Sequence, residues 1–417
     1  MESSINKGRT TFDAQVATAP AETSGQWSAV FAMTLCVFTL IASEFMPVSL
    51  LTPIAGALGV SEGMAGQGIA ISGAFAVITS LFISVLAGSL NRKTLLLGLT
   101  VLMGVSGALI ALAQDYVTYM IGRAVIGAVV GGFWTLSVAV AMRLVPAHQL
   151  PKALAIFNGG NALAMVLAAP LGAYLGSIVG WRGAFLCLVP VAAVTLVWQW
   201  ISLPSLPVKR ADAQSKGGIS QVFQVFRPLR RPVVLLGMSA VGSFFMGQFT
   251  LYTYVRPFLE SVTQVEVTTL SLILLLIGVA GFIGTALVNR VLAYGFYPTL
   301  LGIPLLLAAI AVALMLFGEQ VAIVVVLLGL WGLIATAAPV GWWAWIPRTL
   351  PNNAESGGGL MVAVIQLSIA LGSTLGGVLF DTTGYQSTFI ASGVLLLLAA
   401  ALVCLTSRAE EAEMATG

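Results

Sequence analysis

Long apolar runs follow one another along almost the whole chain, and this feature restricts the fold more than any other. Each run has roughly the 20 residues that a helix needs to cross the hydrocarbon core of a bilayer. Short segments rich in charge, proline or glycine separate the runs. We therefore predict twelve membrane spans, approximately at 28–50, 64–88, 94–113, 116–142, 153–175, 184–203, 233–255, 268–289, 297–317, 321–346, 357–380 and 387–406.

The same runs indicate helices and not strands. A lipid-embedded barrel needs strands of ~10 residues with alternating polar and apolar side chains, and that alternation is absent. A helix satisfies its own backbone hydrogen bonds inside hydrocarbon, where water is missing. Composition agrees, because 59% of the residues are hydrophobic and 8% are charged, against about 25% charged in soluble domains. The predicted fold class is an all-α polytopic membrane protein.

The distribution of basic residues predicts the orientation of the spans. With the N-terminus in the cytoplasm, the cytoplasmic loops collect most of the lysines and arginines: Arg92 and Lys93, Arg143 and Lys152, the cluster at 209–231, Arg290 and Arg348. This bias follows the positive-inside rule and predicts a multi-pass protein of the cell inner membrane with both termini cytoplasmic. The net charge of +3 then has a topological explanation and indicates no nucleic-acid partner.

The longest polar break divides the spans into two sets of six. A shift of 204 positions aligns PLGAYLGSIVGWRGAF at 170–185 with TLGGVLFDTTGYQSTF at 374–389, and Gly180 then matches Gly384. Two similar six-helix halves with a substrate site between them are typical of secondary transporters. The predicted organisation is a tail at 1–26, an N-terminal bundle at 27–203, a cytoplasmic linker at 204–232, a C-terminal bundle at 233–407 and a tail at 408–417.

Several short motifs resemble those of one transporter family. The loop SVLAGSLNRK at 84–93 keeps Arg92 and Lys93 of the pattern G-x-x-x-D-R-x-G-R-K but has Gly88 at the aspartate position. The strings RAVIG, APLGAYLG and GWRGAF fit, in turn, the pattern R-x-x-x-G, a diluted form of the antiporter pattern G-P-x-x-G-G, and the pattern G-W-R-x-x-F. The chain therefore resembles the major facilitator superfamily over essentially its whole length.

Longer strings are similar to the drug/proton antiporter branch of that superfamily. SEFMPVSLLTPIAGALGVSEG, GGFWTLSVAVAMRLVP, QFTLYTYVRPF and PVGWWAWIPRTL resemble the bacterial purine ribonucleoside efflux pumps, with sugar-efflux proteins further away. The resemblance implies the major facilitator fold, alternating access and export in exchange for protons. It also implies that Arg92 and Lys93 belong to a gating loop, although Gly88 removes the acidic group of a charge relay there.

Glu44 is the one acidic residue in the interior of a predicted span. A charge at the bilayer centre costs roughly 2.5–3.5 kcal/mol on insertion scales, so such a residue is a functional candidate. Arg123, in the fourth span, is predicted at the same depth, because both residues lie about six residues, or ~9 Å, below the outer surface. We predict that Glu44 and Arg123 form a proton-coupling pair. The alternative is a static salt bridge between two helices.

Amide and aromatic side chains inside the spans are candidates for substrate binding. A nucleoside offers a flat base for stacking and ribose hydroxyls for hydrogen bonds. Gln248 and Tyr252, four residues apart, share one helix face. The alternative for the amides is hydrogen bonding between helices. The candidate substrate-binding residues are Trp134, Asn158, Asn161, Gln248, Tyr252, Trp331 and Gln366.

The predicted function is proton-coupled export of small polar molecules, of which purine ribonucleosides fit the resemblance best. Sugar or multidrug efflux by the same fold is the alternative, and import is possible because direction is not written in the helices. A channel or a membrane-embedded enzyme is disfavoured, because the single histidine, His148, lies in a loop and completes no Ser/His/Asp set. We expect no cofactor and no metal, protons as the coupling ion, a nucleoside-like substrate, lipid as the surroundings, and a monomer.

Overall fold

The computed structural model describes residues 26–87, 90–207, 226–350 and 354–416, and these ranges contain no β-strand. The helices are α1 (Trp27–Leu58), α2 (Glu62–Ala87), α3 (Arg92–Leu112), α4 (Tyr116–Leu144), α5 (Leu150–Leu186), α6 (Leu188–Ser202), α7 (Pro232–Tyr252), α8 (Val255–Ser261), α9 (Val267–Tyr294), α10 (Phe296–Phe317), α11 (Val321–Ala335), α12 (Ala338–Thr349), α13 (Ala354–Thr383) and α14 (Tyr385–Thr416). The predicted tail up to residue 25, Gly88, and the middle of the predicted linker at 208–225 lie outside the described residues.

The all-α polytopic fold is confirmed. Eleven described stretches are long and apolar enough to cross a membrane, and one of them, Lys152–Ser202, has 51 residues. That length is about twice what one crossing needs. Gly180 interrupts the stretch with φ 76°, a left-handed conformation that glycine adopts without steric cost. The stretch therefore accounts for the fifth and sixth predicted spans. Gly384, the match of Gly180 in the repeat, has φ 88°.

Two predicted spans are each built from two helices. The seventh, predicted at 233–255, consists of α7 followed by α8, which extends the crossing stretch to Ser261, and the tenth consists of α11 and α12. A proline follows each break, Pro257 in α8 and Pro339 in α12. Because proline has no backbone N–H, it cannot continue the hydrogen-bond ladder to the residue four positions earlier. The breaks at 253–254 and 336–337 lie next to those positions.

The helices of the first six spans pair in a pattern that the last six repeat. In the N-terminal half α1 packs on α5, α2 on α4 and α3 on α6; in the C-terminal half α7 packs on α13, α9 on α11 and α10 on α14. These are equivalent pairs after the 204-residue shift. Gly172 and Gly376 lie at two equivalent crossings, and a Cβ at either position would come within 2.4 Å of Ser49 Oγ or Thr250 O. The crossings are close because no side chain separates the backbones.

The two halves meet through α2 with α13, α5 with α9, and α1 with α8. We call the end of the bundle with Trp27, Arg92 and Arg231 the linker end, since the linker joins the halves there. We call the opposite end, with the connections at 59–61, 113–115 and 384, the distal end. The sequence predicts that the linker end faces the cytoplasm.

The chain remains helical beyond the predicted end of the last span at 406. Helix α14 continues to Thr416, so the described part of the predicted tail at 408–417 is helical. Its acidic residues contact the C-terminal half: Glu410 Oε1 accepts a hydrogen bond from Arg348 Nε at 3.2 Å, and Glu413 pairs with Arg231. These contacts explain why a polar segment continues the helix outside the apolar run.

Candidate proton-coupling and substrate site

Arg123 is completely buried, and its guanidinium donates to three backbone carbonyls. Nε donates to Gly68 O at 2.9 Å, Nη1 to Ser43 O at 2.8 Å and Nη2 to Glu44 O at 2.9 Å. The carbonyl of Ser43 has no helical donor, because Pro47, four residues later, lacks an N–H. Arg123 thus supplies the hydrogen bond that proline removes. It joins α4 to α1 and α2.

The carboxylate of Glu44 contacts the other half of the protein. Gln366 on α13 donates its Nε2 to Glu44 Oε1 at 3.1 Å, and the two side chains are 8% and 4% exposed. The ion pairs formed by the described residues do not include Glu44. Glu44 and Arg123 therefore lie at one level, but they meet through the Glu44 carbonyl. The static salt bridge considered as an alternative is not present in the described part of the chain.

Three aromatic rings contact one another across the two halves, and the first of them, Phe45, follows Glu44 in the chain. The ring centroids of Phe45 on α1 and Phe249 on α7 are 5.9 Å apart, and those of Phe249 and Tyr252 are 6.0 Å apart. The second pair is edge to face, at 84°. We call Phe45, Phe249 and Tyr252 the aromatic row. Phe249 is 4% exposed, whereas Phe45 and Tyr252 are half-buried, so these two rings keep apolar surface on which a planar ligand can stack.

Two of the candidate substrate residues carry a buried polar atom without a partner among the described residues, namely Gln248 Oε1 and Trp331 Nε1. Leaving such an atom unpaired costs about 1–3 kcal/mol. Gln248 is half-buried and precedes Phe249 of the aromatic row in the chain, and its unpaired Oε1 is itself buried in this conformation. Trp331 is 1% exposed and packs in the core of the C-terminal half. Its indole is therefore surrounded by protein.

The other substrate candidates lie on the N-terminal half. Asn158 is exposed, Asn161 is half-buried, and Trp134 is half-buried with its ring edge to face against Phe133 at 6.2 Å. In the described part of the chain, no hydrogen bond joins these three side chains to Glu44. The structure therefore brings Glu44, Arg123 and Gln366 together, and it leaves Asn158, Asn161 and Trp134 outside that cluster.

Arg92 and Lys93, the predicted gating residues, are bonded within their own half. Lys93 Nζ donates to Trp200 O at 2.7 Å, and the backbone N–H of Arg92 donates to Leu206 O at 3.0 Å. Trp200 lies in the last turn of α6 (Leu188–Ser202), where free carbonyls attract a cation. These contacts attach the start of α3 to the end of α6.

Sequence reasoning missed Phe45 and Phe249 of the aromatic row, and it did not predict the contact between Gln366 and Glu44. Apolar rings in an apolar span carry no signal of their own. The Ser43 carbonyl, one of the three that Arg123 binds, did carry a signal in the sequence. A proline inside a span, here Pro47, leaves the carbonyl four residues earlier without a helical donor.

Comparison with known proteins identifies the family. The model of the Major Facilitator Superfamily matches residues 33–372. The chain belongs to the major facilitator superfamily. Solved superfamily members share its fold: a D-xylose-proton symporter superimposes with a TM-score of 0.71 at 18% identity, over 91% of this chain and 97% of that one. A bacterial homologue of the human lysosomal transporter Spinster gives a TM-score of 0.72 at 16% identity, over 92% and 97%.

Two curated bacterial proteins are similar to this chain over almost their whole length. The transcription regulatory protein OpdE of Pseudomonas aeruginosa is 66% identical over 389 residues, which cover 93% of this chain and 96% of that protein. The purine ribonucleoside efflux pump NepI of Salmonella enteritidis is 40% identical over 377 residues, which cover 90% and 93%. The family, the fold and the similarity to the efflux pump make this major facilitator protein a multi-pass membrane transporter and not an enzyme.

Proposed function

We propose that this transporter exports small polar molecules, with purine ribonucleosides as the best-fitting class, in exchange for protons. It works by alternating access in the inner membrane, with both termini cytoplasmic, as a monomer without a cofactor. The observation that carries the proposal is the hydrogen bond between Gln366 Nε2 and Glu44 Oε1 at 3.1 Å. It puts the buried acid of the N-terminal half in direct contact with the C-terminal half.

The contact suggests how proton exchange and conformation are linked. Alternating access moves one half relative to the other around a central site. A movement that separates α1 from α13 breaks the bond from Gln366 and changes the surroundings of the Glu44 carboxyl group. Arg123 does not pair with that carboxylate, since its guanidinium donates hydrogen bonds to three backbone carbonyls. Glu44 is therefore free to gain or lose a proton as the halves move.

Asp115 at the distal end is a less suitable proton carrier. The backbone N–H of Thr118 donates to Asp115 Oδ1 at 2.9 Å, and its hydroxyl donates to Oδ2 at 2.7 Å. These hydrogen bonds hold the pKa of Asp115 below its ordinary value. The group therefore stays ionised at neutral pH.

The neighbourhood of Glu44 favours a neutral, planar, polar substrate. Phe45 and Tyr252 of the aromatic row supply half-buried rings for stacking, and Gln248 supplies an amide oxygen without a partner among the described residues, which a ligand would reach once the halves move apart. The 40% identical relative is named for the efflux of purine ribonucleosides, which combine a flat base with hydroxyl groups. Sugars would use the amide but have no planar base to stack on the rings, and cationic drugs would need the Glu44 carboxylate as a counter-charge.

Transport into inside-out vesicles with an imposed pH gradient tests the proposal. Vesicles with the native protein are expected to accumulate labelled purine ribonucleosides, and a parallel set receives sugars and cationic drugs. Glu44→Gln keeps the shape of the side chain and removes its titration, so gradient-driven accumulation should fall to the level of empty vesicles. Glu319→Gln is the matched control, because Glu319 is an exposed acid between α10 and α11, and it should transport normally.

Accumulation of the same compounds by Glu44→Gln at the native rate would refute the coupling role of Glu44. Uptake that only equilibrates, without accumulation, would refute active transport. If sugars or drugs accumulate and nucleosides do not, the substrate class is wrong, while the exchange for protons stands.

The name of the 66% identical relative raises regulation of transcription as a second candidate function. We propose that any such effect of this chain is indirect, through the internal concentration of an exported molecule. Cells that carry only the Glu44→Gln variant then show the same transcript changes as cells without the protein. Normal transcription in those cells, together with lost transport, would show that regulation is separate from export.

A further inference from the structure

Helix α1 contains two prolines, and each leaves one carbonyl of the helix without its usual donor. Pro47 frees the carbonyl of Ser43, and Pro53 frees that of Ser49. Arg123, from the same half, binds Ser43 O, as described above. Arg256, from the other half, donates Nη1 to Ser49 O. The second proline therefore provides a docking point for a residue of the C-terminal half.

Arg256 is held in position for this contact. It lies on α8 and is 6% exposed, and its Nη2 forms an ion pair with Glu260 Oε1 at 2.8 Å. Glu260 is four residues later on the same stretch of chain, so the pair lies on one side of the helix. The ion pair orients the guanidinium within its own half, and Nη1 remains for Ser49 in the other half.

A second contact of the same kind joins the halves at the distal end. Asp381, in the last turn of α13, accepts hydrogen bonds from Ser61 Oγ at 2.5 Å and from the backbone N–H of Gly63 at 3.0 Å. Gly63 is in the first turn of α2 (Glu62–Ala87), where N–H groups have no helical acceptor and a negative charge is favoured. A carboxylate of the C-terminal half thus caps a helix of the N-terminal half.

These contacts lie in one part of the molecule. Within the described ranges, each side-chain hydrogen bond between the halves lies between the level of Glu44 and the distal end; Gln67 and Thr374 form another at 3.0 Å. The protein is therefore closed at the distal end. In both the Arg256 and the Asp381 contact, a charged side chain of the C-terminal half meets a backbone group that the helix of the N-terminal half leaves unpaired.

We propose that Arg256 and Asp381 form a two-point latch that stabilises the conformation closed at the distal end, and that both contacts break when that end opens. The N-terminal half contributes a carbonyl freed by Pro53 and the N-terminal turn of α2. The latch needs no charged residue in that half. It sets the balance between the closed and open conformations whatever the substrate is.

Distances between spin labels at the distal end measure this balance. The native cysteines Cys36, Cys187 and Cys404 are replaced, and labels are placed at the exposed positions Gln114 and Glu319, one in each half. Double electron-electron resonance then gives the proportions of short and long distances. Arg256→Gln and Asp381→Asn should each lower the ratio of closed to open protein about tenfold, which corresponds to about 1.4 kcal/mol.

The N-terminal half offers matched controls for both substitutions. Arg182 also donates to a backbone carbonyl at the distal end, with Nη2 2.7 Å from Ala113 O, and Asp115 also caps a helix N-terminus, that of α4. Both contacts stay inside one half. Arg182→Gln and Asp115→Asn should therefore leave the ratio within twofold of the native value.

A third substitution keeps every charge of the latch. Pro53→Ala gives Ser49 O a helical donor that competes with Arg256, so the ratio should fall in the same direction and by less. This variant removes a helix-breaking residue, which makes it a safeguard if Arg256→Gln does not fold. The proposal is overturned if Arg256→Gln, Asp381→Asn and Pro53→Ala keep the native distances, or if the two control variants shift them equally.

Discussion

The hydrogen bond from Arg123 to the Ser43 carbonyl, which Pro47 leaves without a helical donor, should contribute measurably to the free energy of unfolding. A double-mutant cycle with substitutions at Pro47 and Arg123 isolates this contribution. Arg123→Met removes the donor from Ser43 O and leaves a buried carbonyl unpaired, which costs about 1–3 kcal/mol. Pro47→Ala restores a helical N–H to the same oxygen. Replacing the proline also removes the destabilisation that it causes in a helix interior, about 3 kcal/mol. This gain is the same with Arg123 or Met at position 123, so it cancels in the cycle.

The expected result is therefore that Pro47→Ala stabilises the Arg123→Met protein by about 1–3 kcal/mol more than it stabilises the native protein. The assay is the free energy of unfolding of the four proteins, measured by titration with a denaturing detergent in mixed micelles. The matched control is Pro304→Ala, since Pro304 also lies inside a helix, α10, in the other half. It should show no coupling with Arg123→Met. Equal stabilisation by Pro47→Ala in both backgrounds would refute the assignment of Arg123 to the freed carbonyl.

Two further predictions concern transport. Arg123→Lys should retain more activity than Arg123→Ala in the vesicle assay, because lysine keeps the positive charge and loses only the planar group that reaches three carbonyls; equal activities would contradict this. Exchange of one proton for a neutral substrate moves one net charge across the membrane in each cycle. A membrane potential alone should therefore drive nucleoside transport, with a driving free energy of about 2.3 kcal/mol per 100 mV. Transport that follows the pH gradient and ignores a potassium-valinomycin potential would exclude this stoichiometry.

The latch and the site share one physical principle. Three of their contacts pair a charged side chain with a backbone group that Pro47, Pro53 or the helix start at Glu62 makes available: Arg123 with Ser43 O, Arg256 with Ser49 O and Asp381 with the N–H of Gly63. A backbone group next to proline stays available through ordinary side-chain substitution. The charged partner then decides whether the contact stays within one half, as with Arg123, or crosses to the other, as with Arg256.

Much of the fold was determined by the sequence alone, because a bilayer imposes the length and the composition of each crossing. Apolar runs gave the number of spans, and the aligned loops at Gly180 and Gly384 indicated the repeat; both glycines adopt positive φ. The cost of an intramembrane charge singled out Glu44 and Arg123 in the same way. These inferences needed only local properties of the chain.

Helix ends and contact partners were decided by the tertiary structure. The first span was predicted to end at residue 50, but α1 continues to Leu58, and α14 continues past 406 to Thr416 because Arg348 and Arg231 pair with its acids. Packing against protein and ion pairing outside the hydrocarbon extend a helix without any apolar signal. Run length alone therefore underestimates such helices.

The partner of Glu44 could not be read from the sequence either. Gln366 is 322 residues away along the chain, and it reaches Glu44 only because α1 and α13 face each other between the halves. Arg123 and Arg256 bind oxygens of the main chain; Pro47 and Pro53 mark those carbonyls as free, but only the packing of the helices decides which side chain reaches them. The sequence determined which side chains are costly to bury in lipid, and the packing of two six-helix halves decided which groups balance that cost.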